Sequence, residues 1–409
     1  MNAIALLMGL LVLSYLGSFL VSRRSAGGLG LPSGIEYVTL GFALGPHALD
    51  LVAARDISAF EPVAQVALGW LAFGLGLDFG FANEKRVRLS RIALASFGAL
   101  LTGCAVAGAT GYLVQRLGVG ANPTDRILLA GGVAAVCCET TRHSIAWVVG
   151  TQKVWGPLAT VINDIAHADD FLPLVAVAIL FALDPSQGIT LPVPIRDWSL
   201  VTAALGLVLG AGAALLMRSE MPVEDTWAAL FGVSLLVIGT AARLALSTLT
   251  ASFFMGLAVS AFSRRGARLR AMVGPTEHPV LLPALVLAGA RVDFRVTGAL
   301  PWIAVVAIGV RLVTKVVLGW ALAAGSRPAR KAGPLVGLSL SSSGALSMCI
   351  GLAFALRFPG LVGDSVLAVA ILSAVVGEFV GPARLRRALL AAGELEETSP
   401  SPEPGHVAA

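Results

Sequence analysis

The chain has 409 residues, of which 56% are hydrophobic and only 13% are charged, and its mean hydropathy is +0.85. Soluble domains carry about 25% charged residues, so this composition excludes an ordinary soluble domain and predicts a polytopic membrane protein. The net charge of +5 then concerns membrane topology rather than nucleic-acid binding, because Lys and Arg in loops orient the spanning helices.

The apolar stretches predict an all-α polytopic membrane protein with about thirteen transmembrane helices, which we number segments 1–13. Segment 10 is the weakest of them, since it is short and contains Pro279 and Pro283. In chain order the segments cover 2–21, 30–52, 60–82, 92–115, 124–150, 157–183, 198–217, 225–243, 246–263, 278–292, 297–324, 332–356 and 361–382.

The distribution of Lys and Arg predicts the orientation of these segments. With the N-terminus outside, 18 of these residues fall at the inner ends of segments and 8 at the outer ends. This excess predicts a multi-pass protein of the cell (inner) membrane with a cytoplasmic C-terminus. The end of the chain, 388–409, becomes acidic and rich in Pro and Ser, and we expect a disordered cytoplasmic tail there.

Segments 4–6 and 11–13 look like two related trios of opposite orientation, because each segment is seven positions, an odd number, from its counterpart. Small polar residues interrupt the middle member of each trio, at 137–141 in segment 5 and at 339–344 in segment 12. Inverted repeats with paired broken helices are a known transporter architecture, in which the ion site lies where the breaks cross. We therefore expect two crossing broken helices; the alternative is that the small residues only permit close helix packing.

Segment 6 carries four ionisable residues in its apolar middle: Asp164, His167, Asp169 and Asp170. Such groups are costly at that depth unless they are paired or hydrated, so they indicate a functional site. On a helical wheel Asn163, His167 and Asp170 share a face, whereas Asp169 points about 100° away from Asp170. A carboxylate suits monovalent cation exchange, because it is both a hard oxygen ligand and a proton acceptor. The alternatives are two structural, ion-paired carboxylates, and a histidine that only packs against its neighbours.

Counter-charges are available in two other segments. Arg311 and Lys315 lie one turn apart in segment 11, where a lysine can lose its proton but an arginine effectively cannot. In segment 5, Glu139 could pair with Arg142 or His143 and so pin the crossover, or could contact the ion directly. Internal pairing of most membrane charges is therefore plausible.

Cys137, Glu139, His143 and His167 also raise the possibility of a transition-metal site, but no repeated His or Cys spacing supports it. We see no Walker A loop, dinucleotide fingerprint, nucleophile elbow or HExxH motif. We therefore expect no enzyme activity, no cofactor and no transition metal.

Seven stretches in order along the chain resemble the monovalent cation:proton antiporter superfamily, in particular its second branch of bacterial Na⁺/H⁺ antiporters and Kef-type K⁺ efflux proteins. They are Leu31–Tyr37, Gly41–Pro46, Leu68–Asp78, Gly131-Gly132, Asp169-Asp170, Leu312–Gly319 and Gly377–Pro382. The resemblance implies a secondary antiporter that exchanges Na⁺ or K⁺ for protons by elevator-type alternating access. The alternative is a Kef-like gated K⁺ efflux protein that needs a separate regulatory subunit.

The same resemblance implies a homodimer with a division of labour among the segments. Residues 1–82 and 225–292 would form the dimerisation scaffold, 198–217 a linker helix, and 92–183 with 297–387 the ion-transporting core. These divisions place every candidate ion-site residue in the core.

The resemblance also implies roles for individual residues. Asp170 would bind the cation and exchange protons, and Asp169 would pair with Lys315 when no cation is bound. Thr140 and Thr141 would lie close to the ion.

Three features depart from the pattern of the superfamily. Segment 5 reads Cys-Glu-Thr-Thr-Arg-His at 138–143, where relatives have a small-Ala-Thr-Ser-Pro sequence. Segment 12 has Ser-Ser-Ser-Gly at 341–344, including Ser342, in place of an Arg-Gly-Glu group. Finally, Asn163-Asp164 resembles the Asn-Asp pair of the electroneutral branch and competes with Asp169-Asp170 as the ion-site motif.

Overall fold

The computed structural model describes residues 34–79, 89–151, 154, 156–184, 194, 197–218, 222–263 and 266–395. Segment 1 and residues 396–409 of the predicted tail lie outside these ranges. Within the described ranges the chain is helical and contains no strand, which confirms the all-α class.

Among the described residues, eight helical stretches are long and apolar enough to cross a membrane, one of them made of α7 and α8 together, and three shorter apolar helices accompany them. The helices are α1 (Ile35–Leu44), α2 (Ala54–Ala59), α3 (Glu61–Phe79), α4 (Leu89–Arg116), α5 (Pro123–Cys138), α6 (Arg142–Thr151), α7 (Pro157–Ala168), α8 (Phe171–Ala182), α9 (Trp198–Leu216), α10 (Val223–Arg243), α11 (Thr248–Phe262), α12 (Gly266–Arg291), α13 (Leu300–Gly325), α14 (Arg327–Arg330), α15 (Leu335–Ser339), α16 (Ala345–Arg357) and α17 (Leu361–Ala392).

Three predicted segments are interrupted. Segment 5 consists of α5 and α6, joined by an extended stretch that begins at Glu139. Segment 12 consists of α15 and α16, and segment 6 turns at Asp169 and Asp170 between α7 and α8. The first two breaks were expected from the small polar residues, but the break in segment 6 was not.

Two predicted boundaries are wrong. The helix of segment 10 begins at Gly266 rather than 278 and continues through Pro275, Pro279 and Pro283, so Arg270 lies on a helix and not in a loop. Neighbouring helices can satisfy the backbone groups that proline leaves open. The predicted tail from 388 is also too long, because α17 remains helical to Ala392.

By their main contacts the described helices fall into two groups, which we name after the predicted division into a scaffold and a core. The scaffold group comprises α1–α3 and α9–α12, whose main contacts are α3 with α11, α9 with α11 and α1 with α12. Close approach depends on glycine here: a Cβ at Gly256 of α11 would overlap the carbonyl oxygen of Phe73 on α3. The core group comprises α4–α8 and α13–α17, in which α4, α13 and α17 surround the two broken segments.

Candidate functional site

The breaks of segments 5 and 12 meet inside the core group. The backbone N–H of Thr141 donates to the carbonyl oxygen of Ser342 at 3.0 Å, and the Thr140 hydroxyl donates to the carbonyl oxygen of Leu340 at 3.0 Å. These bonds use backbone groups that a continuous helix would have satisfied internally. The predicted crossing of two broken helices is therefore present.

The crossing brings helix ends of both signs into the protein interior, and charged groups offset them. Glu139 accepts hydrogen bonds from the backbone N–H of Gly344 (3.3 Å) and the Ser347 hydroxyl (2.5 Å), at the N-terminus of α16. Arg311 donates to the carbonyl oxygen of Glu139 (2.8 Å), just beyond the C-terminus of α5. An anion near a helix N-terminus and a cation near a C-terminus are both stabilising.

Arg311 is held at this position by two hydroxyl groups. Its side chain is only 1% exposed and donates to the hydroxyls of Ser343 and Ser373. Arg311 thus connects α13 with the break in segment 12 and with α17. It is a fixed structural cation of the crossing.

Lys315 and Asp169 meet beside the same crossing. The Lys315 ammonium donates to the Thr140 hydroxyl at 2.7 Å and lies 3.6 Å from Oδ2 of Asp169. Both side chains are almost fully buried, with 1% and 2% exposed. The other carboxylate oxygen of Asp169, Oδ1, has no hydrogen-bond partner among the described residues and remains an available acceptor.

Asp170 faces a different cation. Its Oδ2 lies 3.7 Å from Nε of Arg142, the first residue of α6. Nη2 of Arg142 donates to Oδ2 of Asp78 at 2.8 Å, and Nη1 lies 2.9 Å from Nδ1 of His167. The two adjacent aspartates therefore have separate partners, Lys315 on one side and Arg142 on the other.

Asp78, Arg270 and Glu277 complete this second charge cluster from the scaffold group. Oδ1 of Asp78 accepts from Nε of Arg270 at 2.5 Å, and Arg270 also donates to Glu277 at 2.6 and 3.2 Å. Sequence reasoning missed all three residues as site residues. The sequence did offer a signal: Asp78 lies near the end of the apolar segment 3, and Arg270 and Glu277 are seven positions apart.

The charged groups joined by these contacts do not balance. The acidic members are Asp78, Glu139, Asp169, Asp170 and Glu277, and the basic members are Arg142, Arg270, Arg311 and Lys315. His167 adds no charge when its Nδ1 accepts the Arg142 N–H. With all five carboxylates ionised, one positive charge is missing, which a proton or one monovalent cation would supply.

Other predicted site residues lie away from the crossing. Asp164 pairs with Arg91 of α4, so the structure brings Asp169 and Asp170 to the breaks and not the competing pair 163–164. Asn163 is exposed, and its place on one lining face with Asp170 stays a prediction. His167 does share the Arg142 side chain with Asp170.

One contact at the break differs from the expected one. Glu139 binds Gly344 and Ser347 rather than Arg142. Glu139 thus connects the two breaks, as expected, but through the N-terminus of α16. Ser342 takes part through its carbonyl oxygen, while its buried hydroxyl has no partner among the described residues.

Crossed broken helices that bring charged side chains together inside an apolar helical protein are the architecture of a membrane transporter rather than of an enzyme. Comparison with protein families agrees: the model for the family "Sodium/hydrogen exchanger, transmembrane" matches residues 11–389. The chain therefore belongs to the sodium/hydrogen exchanger family of cation:proton antiporters.

Solved structures support the same fold. The chain is similar to two structures of the sodium proton antiporter MjNhaP1 from Methanocaldococcus jannaschii, each with 15% sequence identity. One, at pH 8, has a TM-score of 0.63 and the similarity covers 96% of both chains. The other, from electron microscopy, has a TM-score of 0.67 and the similarity covers 97% of this chain and 99% of that chain. No curated protein matches in sequence.

Proposed function

We propose that this protein exchanges Na⁺ or K⁺ for protons across the cell membrane as a secondary antiporter. The observation that carries the proposal lies in the cluster that contains Asp170: three carboxylates, of Asp78, Asp170 and Glu277, contact only two guanidinium groups, of Arg142 and Arg270. A proton or a monovalent cation would balance the connected charges equally well, so the two would compete for one site. Competition for a common site is the simplest basis of obligatory exchange.

In this proposal Asp170 binds the cation and, alternately, the proton. Asp169 pairs with Lys315 when the cation is absent, and its unpartnered Oδ1 is an oxygen that a bound ion can use. Thr140 and Thr141 lie at the break itself, where hydroxyl and carbonyl oxygens can add hard ligands. Because each ligand is an oxygen atom, the site suits a hard cation, and the single surplus negative charge favours a monovalent one.

The division into scaffold and core supports an elevator-type movement of the core. Ionic contacts join the two groups at opposite ends of α3. Near one end Asp78 contacts Arg142; near the other, Arg291 of α12 lies 3.8 Å from Asp364 of α17 and donates to the carbonyl oxygen of Ala355 at 2.6 Å. Polar contacts of this kind can exchange partners as one group slides along the other. The proposal also includes a homodimer formed by the scaffold, which rests on the superfamily resemblance. It places the N-terminus outside and the C-terminus in the cytoplasm, which rests on the distribution of Lys and Arg.

The decisive experiment is exchange in proteoliposomes. Addition of Na⁺ or K⁺ should dissipate a preformed pH gradient with the wild type, and Asp170→Asn should abolish this response because the site loses its charge. Asp225→Asn is the matched control, since Asp225 is exposed in the first turn of α10 and should leave exchange unchanged.

Two outcomes would contradict the proposal. Unchanged exchange by Asp170→Asn would remove Asp170 from the mechanism. Conductance of K⁺ in a planar bilayer without proton coupling would instead support a gated K⁺ efflux protein.

A further inference from the structure

Arg142 stands between two carboxylates that belong to different helix groups. Asp170 lies with Arg142 in the core, whereas Asp78 lies on α3 of the scaffold. The guanidinium is hydrogen-bonded to Asp78 at 2.8 Å but only approaches Asp170, at 3.7 Å. It is therefore hydrogen-bonded to the scaffold carboxylate, while with Asp170 it forms only a longer ion pair without a hydrogen bond.

Several contacts hold the guanidinium and Asp78 in this arrangement. Asp78 is fixed from its other oxygen by Arg270, which Glu277 anchors in turn. On the core side, Nδ1 of His167 receives the Arg142 N–H, and the His167 ring stacks on Phe79 with 4.8 Å between ring centroids. Acidic groups thus face Arg142 from α3 and from the turn between α7 and α8, with Arg270 as the nearest like charge.

An arginine beside an ion-binding carboxylate can compete with the transported cation for that carboxylate. Its guanidinium keeps its charge at all accessible pH values and matches the geometry of a carboxylate bidentately. Were Arg142 to turn from Asp78 to Asp170, it would occupy the place of a transported cation. In this structure its hydrogen bond goes to Asp78 instead.

We propose that Asp78 is a positioning residue that keeps the Arg142 guanidinium from forming a direct hydrogen-bonded pair with Asp170, so that the cation affinity of the core depends on its contact with the scaffold. When the core moves, Asp78 remains with α3. Arg142 then pairs with Asp170 and displaces the cation. This inference rests on the proposed function and adds a reason for cation release on one side of the membrane.

A double-mutant cycle separates this role from a purely structural one. The variants are Asp78→Asn, Arg142→Gln and the double variant, and the quantity measured is the KM for Na⁺ and for K⁺ in proteoliposomes at alkaline pH, where protons compete least. Cation-induced thermal stabilisation of the purified protein provides a second readout that does not require transport.

The expected pattern is specific. Asp78→Asn should raise the KM about tenfold or more, the scale on which close charge pairs couple, because Arg142 then turns to Asp170. Arg142→Gln should lower the KM, and adding Asp78→Asn to Arg142→Gln should have no further effect, since the competitor is already absent. Asp78→Glu retains a carboxylate and should keep the KM within about twofold of the wild type.

Equal effects of Asp78→Asn in both backgrounds would overturn the inference and leave Asp78 a structural residue. If Asp78→Asn does not fold, Arg142→Gln alone decides: an unchanged or higher KM would contradict an internal competitor. Failure of the proposed function is distinguishable, because Asp170→Asn would then retain exchange whatever the cycle shows.

Discussion

Replacement of Lys315 by methionine tests the charge pair at the crossing most directly. Methionine keeps an unbranched apolar stem of similar length, so the substitution removes the ammonium with little change in packing. Opposite unit charges 3.6 Å apart attract by about 5 kcal/mol at an effective dielectric constant of about 20. Breaking a buried pair by removing one partner costs about 3–5 kcal/mol, because the remaining charge is left without compensation. We therefore expect Lys315→Met to lower the free energy of unfolding by about 3–5 kcal/mol.

The assay is equilibrium unfolding in detergent by denaturant, with Lys315→Met, Asp169→Asn and the double variant compared with the wild type. The double variant should recover most of the loss, since a neutral amide no longer needs the ammonium. The loss in Lys315→Met should also be smaller at acid pH and larger at alkaline pH. The stranded carboxylate can take up a proton in the first case but must stay charged in the second.

Additivity would refute this reasoning. If the two single effects sum to the effect of the double variant within about 0.5 kcal/mol, Asp169 and Lys315 do not interact in the folded protein. The unfolding must be reversible for the comparison to hold, and a cation-free buffer is needed because a bound cation would replace the missing charge.

Three further predictions concern packing, capping and the choice of site. Gly337→Ala should lower the free energy of unfolding by about 1–3 kcal/mol, because the new Cβ would overlap the carbonyl oxygen of Lys315. Gly309→Ala in α13 is the control and should be neutral or stabilising, because a Cβ there meets no other atom. Equal effects of the two substitutions would refute the close approach at Gly337. Glu394→Ala should speed amide hydrogen exchange in the first turn of α7 and lower the free energy of unfolding by about 1 kcal/mol. The reason is that the Glu394 carboxylate accepts hydrogen bonds from two backbone N–H groups there, at 2.6 and 3.0 Å. Unchanged hydrogen exchange would argue against this cap. Asp164→Asn should retain cation-driven proton exchange, because Asp164 pairs with an arginine of α4; loss of exchange with intact folding would return the ion site to the 163–164 motif.

The glutamate at position 394 illustrates a limit of composition as a guide. From Glu394 onward the chain is acidic and rich in Pro and Ser, which predicts disorder. In the structure Glu394 instead closes the N-terminus of α7, 236 residues earlier in the chain. It binds backbone N–H groups in the first turn of α7, which have no hydrogen-bond partner within the helix. The composition around residue 394 gives no sign of this distant partner.

The interrupted segments 5 and 12 show what local sequence does reveal. Apolar runs of about 20 residues and small polar clusters within them have a direct physical meaning in a bilayer, where backbone groups must be satisfied and charges must be paired. The same cost of membrane charge singles out Asp169, Asp170, Arg311 and Lys315 from the sequence alone. These features follow from short stretches of sequence and need no knowledge of the fold.

The scaffold side of the charge network shows what required the tertiary structure. Asp78 is 64 residues from Arg142 and 192 from Arg270, and only helix packing brings the three together. The packing of α7 likewise decides that Asn163 is exposed, which the sequence pattern did not show.

The amino-acid sequence by itself thus determined that this is a helical membrane protein with broken helices and costly membrane charges, because both properties depend on the free energy of transferring local groups into lipid. Only the tertiary structure decided which charge meets which, because ion pairs form across helices whose contacts depend on packing of the whole chain. The assignment of Lys315 to Asp169 and of Arg142 to Asp78 belongs to this second kind of information. The sequence identifies the charged groups that an antiporter can use, and the tertiary structure determines how these groups could act on one another.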